Sequence, residues 1–280
     1  MHDGVPAPFL KWAGGKRQLL PRILALAPAR IETYYEPFVG GGAVFFALAA
    51  QQRFARAVLA DANPELVRCY ATVRDQVEAV IGELQKHRNA PDDYYRVRGR
   101  NPARLTDAAR AARVIYLNRC GYNGLYRVNS DGKFNVPFGR YARPKICDVP
   151  RLQAASRALA NVEIVCGDFR DVLAERRPGV SDFVYLDPPY VPVSRTASFT
   201  AYAQRAFGLD DQERLAETLR AFSRERVPAL LSNSYCSDTR RLYAGPELVF
   251  RKVPARRAIN SVGSARGPVA EILVRTTAIK

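Results

Sequence analysis

Seven short apolar runs, separated by stretches with helical spacing, constrain this chain more than any other feature. The runs lie at 33–38, 56–60, 162–165, 182–186, 228–231, 247–252 and 271–276. Each is four to six residues long, the length of a strand rather than a helix. Helical periodicity occupies 17–27, a stretch starting at Ala43, 150–160, 169–175 and 210–225. Strands alternating with helices predict an α/β fold, an open and mostly parallel sheet of seven strands with helices on both faces. No helix fills the gap between the last two strands, so one antiparallel strand is expected at that end.

The stretch 64–147 breaks the alternation. It reads as helices at 64–87, 91–99 and 104–118, followed by turns rich in Gly and Asn. Asn129-Ser130-Asp131-Gly132 between polar-apolar segments is a hairpin signal. An inserted helical lobe carrying a β-hairpin is therefore expected at 64–147, with 1–63 and 148–280 forming the sheet domain around it.

Charge bears on what the lobe meets. The chain has 43 Lys and Arg against 27 Asp and Glu, a net charge of +16. The excess is concentrated: 86–151 holds 15 basic and 5 acidic residues, and 251–275 holds six basic residues and one acid. Such an excess points to a polyanionic partner contacted through the lobe. The longest apolar run, 43–50, is far too short to span a bilayer. No basic region followed by an apolar stretch opens the chain, so a cytoplasmic location without a membrane partner is expected. No obligate protein partner is evident. Cys69, Cys120, Cys147, Cys166 and Cys236 are widely spaced and read as free thiols. With His2 and His87 as the only histidines, neither a His/Cys zinc site nor a Ser-His-Asp triad has its members, and no metal is expected.

Two motifs carry chemistry. In Glu36-Pro37-Phe38-Val39-Gly40-Gly41-Gly42, a glycine loop leaves a strand and enters a helix, which lets a ligand approach the backbone. Asp61 lies 21 residues past Gly40 at the end of the next strand, where a carboxylate accepts hydrogen bonds from ribose hydroxyls. Val44, Phe45 and Phe46 follow where a dinucleotide fingerprint wants a third glycine, so a nucleoside without a pyrophosphate fits better. S-adenosylmethionine (AdoMet) is such a ligand. In Asp187-Pro188-Pro189-Tyr190, two prolines remove two N–H donors and stiffen the chain. The Asp187 carboxylate and Pro188 carbonyl then offer two acceptors for an exocyclic amino group, and Tyr190 offers a platform for a planar base. A third segment, Phe9-Leu10-Lys11-Trp12-Ala13-Gly14-Gly15-Lys16, looks like part of a phosphate loop but lacks the spacing.

These segments, with Asp61-Ala62-Asn63 and LNRCGYNGLYRVNSDGKFNVPFGRY at 117–141, resemble the Dam family of DNA adenine-N6 methyltransferases, in the α-group order of D12-class enzymes. The resemblance runs from Phe9 to Val274. It implies the seven-stranded AdoMet-dependent fold and double-stranded DNA as partner. It implies cofactor contacts from Trp12, Lys16, the loop from Phe38 through Gly40 to Gly42, Asp61, Asp168, Phe169 and Asp187, and catalysis by Asp187, Pro188 and Tyr190. It assigns DNA contacts to Tyr122 and Asn123 at the opened pair, to Leu125, Arg127 and Pro137 as readers of GATC, to Lys11 as reader of a guanine, and to Arg140 at a phosphate. Cys120 and Tyr126 depart from the pattern, and Ser232-Asn233-Ser234 keeps part of it. A cytosine-N4 enzyme, a glutamine or RNA methyltransferase and an inactive basic DNA-binding module remain as rivals. The first more often has Ser, and the second Asn, in place of Asp187.

Overall fold

The structure, a computed structural model, describes residues 4–12, 14, 16, 18–191, 207–256 and 268–279. Its centre is a seven-stranded sheet in the order β3-β2-β1-β4-β5-β7-β6. The strands are β1 (Ile31–Glu36), β2 (Phe54–Asp61), β3 (Val162–Cys166), β4 (Phe183–Leu186), β5 (Ala229–Ser234), β6 (Leu248–Arg256) and β7 (Pro268–Thr276). β1 to β5 run parallel, and β7 is antiparallel to both β5 and β6, the antiparallel strand expected at that end.

Alternation along the strands explains the continuous apolar runs. Tyr34, Phe183, Tyr185, Leu230 and Leu273 face one buried cluster, and Tyr35, Val184, Leu186, Leu231 and Val274 face the other. The second cluster is covered by α8 (Phe169–Arg176) and α9 (Leu209–Arg224), with Tyr243 following α10 (Ser237–Leu242). On the first face lie α1 (Leu20–Leu26), α2 (Ala43–Ala50) and α7 (Val149–Leu159). The same cluster continues through α3 (Pro64–Asp75), α4 (Val77–Leu84), α5 (Pro91–Gly99) and α6 (Asp107–Cys120).

Several boundaries differ from the sequence expectation. β1 ends at Glu36, because Pro37 has no N–H to continue the ladder. The stretch 64–87 is two helices, since Gln76 leaves helical geometry at φ −139° and ψ 39°. α6 starts at Asp107, where the Thr106 hydroxyl accepts the Ala109 N–H at 3.3 Å; residues Pro102–Arg104 form a separate 3-10 turn. α1 begins at Leu20, with Pro21 in its first turn. The hairpin at 129–132 is a turn closed by Asn129 N–H on the Lys133 carbonyl at 2.9 Å. Its flanks pair at two isolated bridges, Val128–Phe134 and Gly121–Phe138, short of a two-stranded ladder. α10 has no counterpart in the sequence reading.

The chain runs β1, β2, β3 outward, then returns to place β4 on the other side of β1. The order therefore reverses between β1 and β4, and a cleft opens beyond their carboxyl ends. The glycine loop after β1 and the Asp187 segment after β4 both start there.

Candidate active site and nucleic-acid interface

Glu36 ends β1 with 3% of its surface exposed. Its carboxyl accepts the Tyr34 hydroxyl at 2.8 Å and the Phe45 N–H in the first turn of α2 at 3.1 Å. Burial pushes its pKa up to about 8, against these two hydrogen bonds. The loop beyond it needs glycine. Gly40 and Gly42 have φ of 47° and 67°. A Cβ on Gly40 would lie 2.9 Å from the Trp12 ring, and one on Gly42 would lie 2.8 Å from the Tyr70 hydroxyl.

Asp61 ends β2 and ties the loop down. One carboxylate oxygen accepts Gly40 N–H at 3.1 Å and the other accepts Asn63 N–H at 3.0 Å. Burial raises its pKa to about 6 while those N–H donors hold it down. Beside it, Asp168 is exposed and caps α8 by accepting Arg170 N–H at 2.9 Å. Phe169 is buried, with its ring 5.3 Å from Phe38 and 6.1 Å from Phe207. Phe38 and Phe207 meet edge to face at 5.7 Å, so three aromatic rings gather at this rim.

Asp187 follows β4. Its Oδ2 is 2.7 Å from Lys16 Nζ, and its Oδ1 accepts the Ser232 hydroxyl at 3.0 Å. Lys16 is 7% exposed, also donates to the Gly14 carbonyl at 2.7 Å, and sits 4.9 Å from the centre of the Tyr190 ring. Burial raises the Asp187 pKa, opposed first by the Lys16 ammonium. Pro188 is buried. The Pro189 carbonyl accepts Gln212 Nε2 at 2.8 Å, and Val191 N–H donates to Asn233 Oδ1 at 3.1 Å. Asn233 in turn donates to Gln212 at 2.9 Å. The Tyr190 hydroxyl donates to Glu271 at 2.6 Å. The tetrapeptide is thus fixed from β5, α9 and β7, with an acidic oxygen and an aromatic face directed at one place.

The N-terminal segment joins this cleft to the helical region. Asn118 of α6 accepts Lys11 N–H at 2.6 Å and donates to the Lys11 and Gly124 carbonyls at 3.1 and 2.9 Å. Gly124 has φ 64°, and a Cβ there would fall 2.0 Å from the Lys11 carbonyl oxygen. Lys11 Nζ stands 4.0 Å over the Tyr141 ring. Trp12, beside the glycine loop, stacks on Tyr126 at 5.7 Å.

Apart from Lys11, the expected DNA-contacting residues fall on one turn-rich segment. Tyr122 is 45% exposed, and its N–H donates to the exposed Pro137 at 2.9 Å. Asn123 has φ 54° and donates its N–H to the Tyr141 hydroxyl at 2.9 Å. Leu125 is half-buried, and Arg127 and Arg140 are exposed. Arg127 Nε is held by Asn135 Oδ1 at 2.7 Å across the turn. Cys120 is fully buried beneath this segment, where burial pushes its thiol pKa up to about 12.

Sequence reasoning missed Glu36 as a buried acid, Gln212, Glu271 and Phe207. The Glu36 signal was present, a charged residue inside an apolar run leading to a glycine loop. The other three lie far along the chain from the groups they touch.

A family profile described as D12 class N6 adenine-specific DNA methyltransferase matches residues 12–259. The chain is 41% identical over 275 residues to a type II methyltransferase, M1.LlaDCHI, of Lactococcus lactis subsp. cremoris, covering 95% of this chain and 94% of the relative. It is 42% identical over 277 residues to the type II methyltransferase M.MjaIII of Methanocaldococcus jannaschii, at 92% and 94% coverage. It is 39% identical over 269 residues to the DNA adenine methylase of Escherichia coli K12, at 95% and 93% coverage.

Proposed function

The chain belongs to the D12 class of N6 adenine-specific DNA methyltransferases, and from that premise we propose that it transfers the AdoMet methyl group to N6 of a flipped-out adenine in duplex DNA, within GATC. The observation that carries this reading is Lys16 Nζ, which donates to Asp187 2.7 Å away and lies over the Tyr190 ring. A nitrogen donor held by that carboxylate and that ring occupies the relationship an exocyclic amino group requires.

The residues present fit the cofactor. Each Asp61 oxygen uses one lone pair on a backbone N–H, which leaves others for ribose hydroxyls. The Phe38, Phe169 and Phe207 rings supply an apolar rim for a purine. Trp12, Lys16, Gly40, Gly42 and Asp168 complete the proposed contact set. AdoMet supplies, when bound, an electrophilic methyl on a sulfonium.

The chain's own residues do the rest. Adenine N6 is buried in the base stack, so the base must leave the duplex to reach Asp187. Tyr190 stacks on it, and its hydroxyl bond to Glu271 keeps the ring from turning. The Asp187 carboxylate and Pro188 carbonyl accept hydrogen bonds from the two N6–H groups, and the Asp187 carboxylate takes the proton that N6 sheds once it carries the methyl. N6 shares its lone pair with the ring; two acceptors favour a pyramidal nitrogen with that pair free. Orientation and fixed charge then supply the rate, with no covalent enzyme intermediate. Lys16 gives up one lone pair of Asp187 to N6 and stays beside the carboxylate as its counter-charge.

We assign DNA binding to 64–147 together with Lys11. Tyr122 and Asn123 act at the opened pair, Leu125, Arg127, Pro137 and Lys11 read bases, and Arg140 holds a phosphate. The resemblance of 117–141 to the family's reading segment and the concentration of positive charge in 86–151 support this.

Plasmid DNA from cells expressing the chain tests the reading. It should resist a nuclease that cuts only unmethylated GATC, and Asp187→Ala should abolish protection. Loss of that acceptor costs about 3 kcal/mol or more in the transition state, roughly a hundredfold in rate. An Asp187→Ala enzyme with wild-type turnover overturns the mechanism. Methyladenine at another motif overturns the GATC assignment alone.

A further inference from the structure

Outside the cleft, the end of α4, α5 and the start of α6 enclose a depression of about 420 Å³ lined by Glu83, Lys86, His87, Arg96, Arg100 and Arg104, among others. Its charges do not cancel. Lys86 pairs with Glu83, and Arg96 pairs with the neighbouring Asp93. Arg100 and Arg104 are exposed and have no acidic partner among the described residues. The first turn of α6 reaches the same depression through Thr106 and Ala109, adding a positive helix end.

An unsatisfied group marks the site independently. The His87 side chain is 5% exposed, is stacked on Tyr116 at 4.6 Å, and has a buried Nδ1 with no hydrogen-bond partner. Asp93 Oδ2 is 3.8 Å away, too far for a hydrogen bond, and instead accepts Arg88 N–H at 2.8 Å. Buried polar atoms are nearly always paired in native structures, and His87, which lines the depression, carries one that is not.

We propose that this depression binds a phosphate group, with Arg100 and Arg104 clasping its oxygens and His87 and Lys86 completing the site. Guanidinium groups match phosphate oxygens in geometry and charge. The site is separate from the segment that reads bases. Arg96 on α5 and Arg100, the extended residue just after it, both line the depression, while Arg98 donates to the Val136 carbonyl of that segment at 3.2 Å. Two sources share this chemistry, a free phosphate ligand and the backbone of flanking DNA. The proposal does not depend on methyl transfer.

Inorganic phosphate is the probe, added to the full chain and to Arg100→Gln/Arg104→Gln, with chloride at matched ionic strength as control. About 10 mM phosphate should raise the wild-type Tm by about 2 °C beyond chloride, and the double variant by less than half as much. Arg100→Lys/Arg104→Lys, which keeps the charge, should retain part of the response. Neither arginine supports a buried group, so the Gln variant should keep its Tm in chloride. A duplex of about 20 base pairs lacking GATC separates the sources. Roughly fivefold weaker binding to the Gln variant identifies backbone phosphate, and unchanged duplex binding with a lost phosphate response identifies a free ligand. The proposal fails if phosphate raises Tm no more than chloride does, or raises it equally in wild type and the Gln variant.

Discussion

Lys16 Nζ and Asp187 Oδ2 are 2.7 Å apart, and this contact joins the N-terminal segment to the carboxyl end of β4. It also balances charge. Burial holds the pKa values of Glu36 and Asp187 up, the Asp187 charge adds to the rise at Glu36, and the Lys16 ammonium lowers both. A carboxylate meant to accept hydrogen bonds from a neutral amine must stay ionised in a poorly solvated cleft. Lys16 and the Ser232 hydroxyl keep it so.

Lys16→Met should therefore leave Asp187 without its counter-charge. Breaking such a pair costs about 3 kcal/mol, at the low end of the usual range because Asp187 keeps 21% exposure. The Asp187 pKa rises further, so the acidic limb of the pH–rate profile should move to higher pH at saturating AdoMet. A profile with an unmoved acidic limb rules out Lys16 as the group that holds Asp187 ionised.

Glu36 should make stability fall as pH rises. Its folded pKa of about 8 exceeds the ordinary 4.5. Between those values the folded chain keeps a proton that the unfolded chain releases. The stabilisation is complete below the lower value and is lost as pH climbs through the upper one, at up to about 1.4 kcal/mol per pH unit. Denaturant unfolding of wild type and Glu36→Gln at several pH values isolates this contribution. Parallel stability curves for the two proteins would show that Glu36 does not titrate in this window.

Much of this architecture is legible in the sequence, for a physical reason. β4 and β5 are buried along their whole length and β1 nearly so, which makes their centres read as short apolar runs between turns. The break at Gln76 is not legible, because Val73, Val77, Val80, Ile81 and Leu84 keep helical spacing straight across it. In the site, Asp61 and Asp187 declare themselves by position after strands. The Tyr190–Glu271 bond joins residues 81 apart in sequence, and only the antiparallel placement of β7 beside β5 brings them together. Tyr126, a departure from the family pattern, has a place of its own: it stacks on Trp12 and meets Phe134 edge-on at 5.5 Å.

Asp61→Ala should weaken AdoMet binding by about 1.5–3 kcal/mol, the contribution of a hydrogen bond to a charged group. It also frees Gly40 N–H, so the glycine loop loses one of its ties. Duplex affinity should change far less, because Asp61 lies at the end of β2 and not on the segment 117–141. Calorimetric titration of AdoMet against wild type and variant measures the difference. Equal affinities would remove Asp61 from the cofactor site.

Arg127→Ala should relax discrimination at one guanine and leave AdoMet affinity intact. Arg127 is exposed, and Asn135 Oδ1 fixes its Nε at 2.7 Å. That contact, with Nη2 donating to the Asn135 carbonyl at 3.4 Å, orients the guanidinium and leaves Nη1 and the second Nη2 hydrogen to face a base. Guanine alone presents O6 and N7 as paired acceptors in the major groove, and a two-pronged arginine contact discriminates by about 1–3 kcal/mol. Single-turnover rates on a GATC duplex and on one with that guanine replaced should therefore differ less in the variant, by roughly five- to 150-fold. Asn135→Ala should move the ratio in the same direction by a smaller factor, since it removes only the orientation. A variant that keeps the wild-type ratio shows that Arg127 does not read the base, and the exposed Arg140, with its φ of 53° on the same segment, then becomes the residue to substitute next.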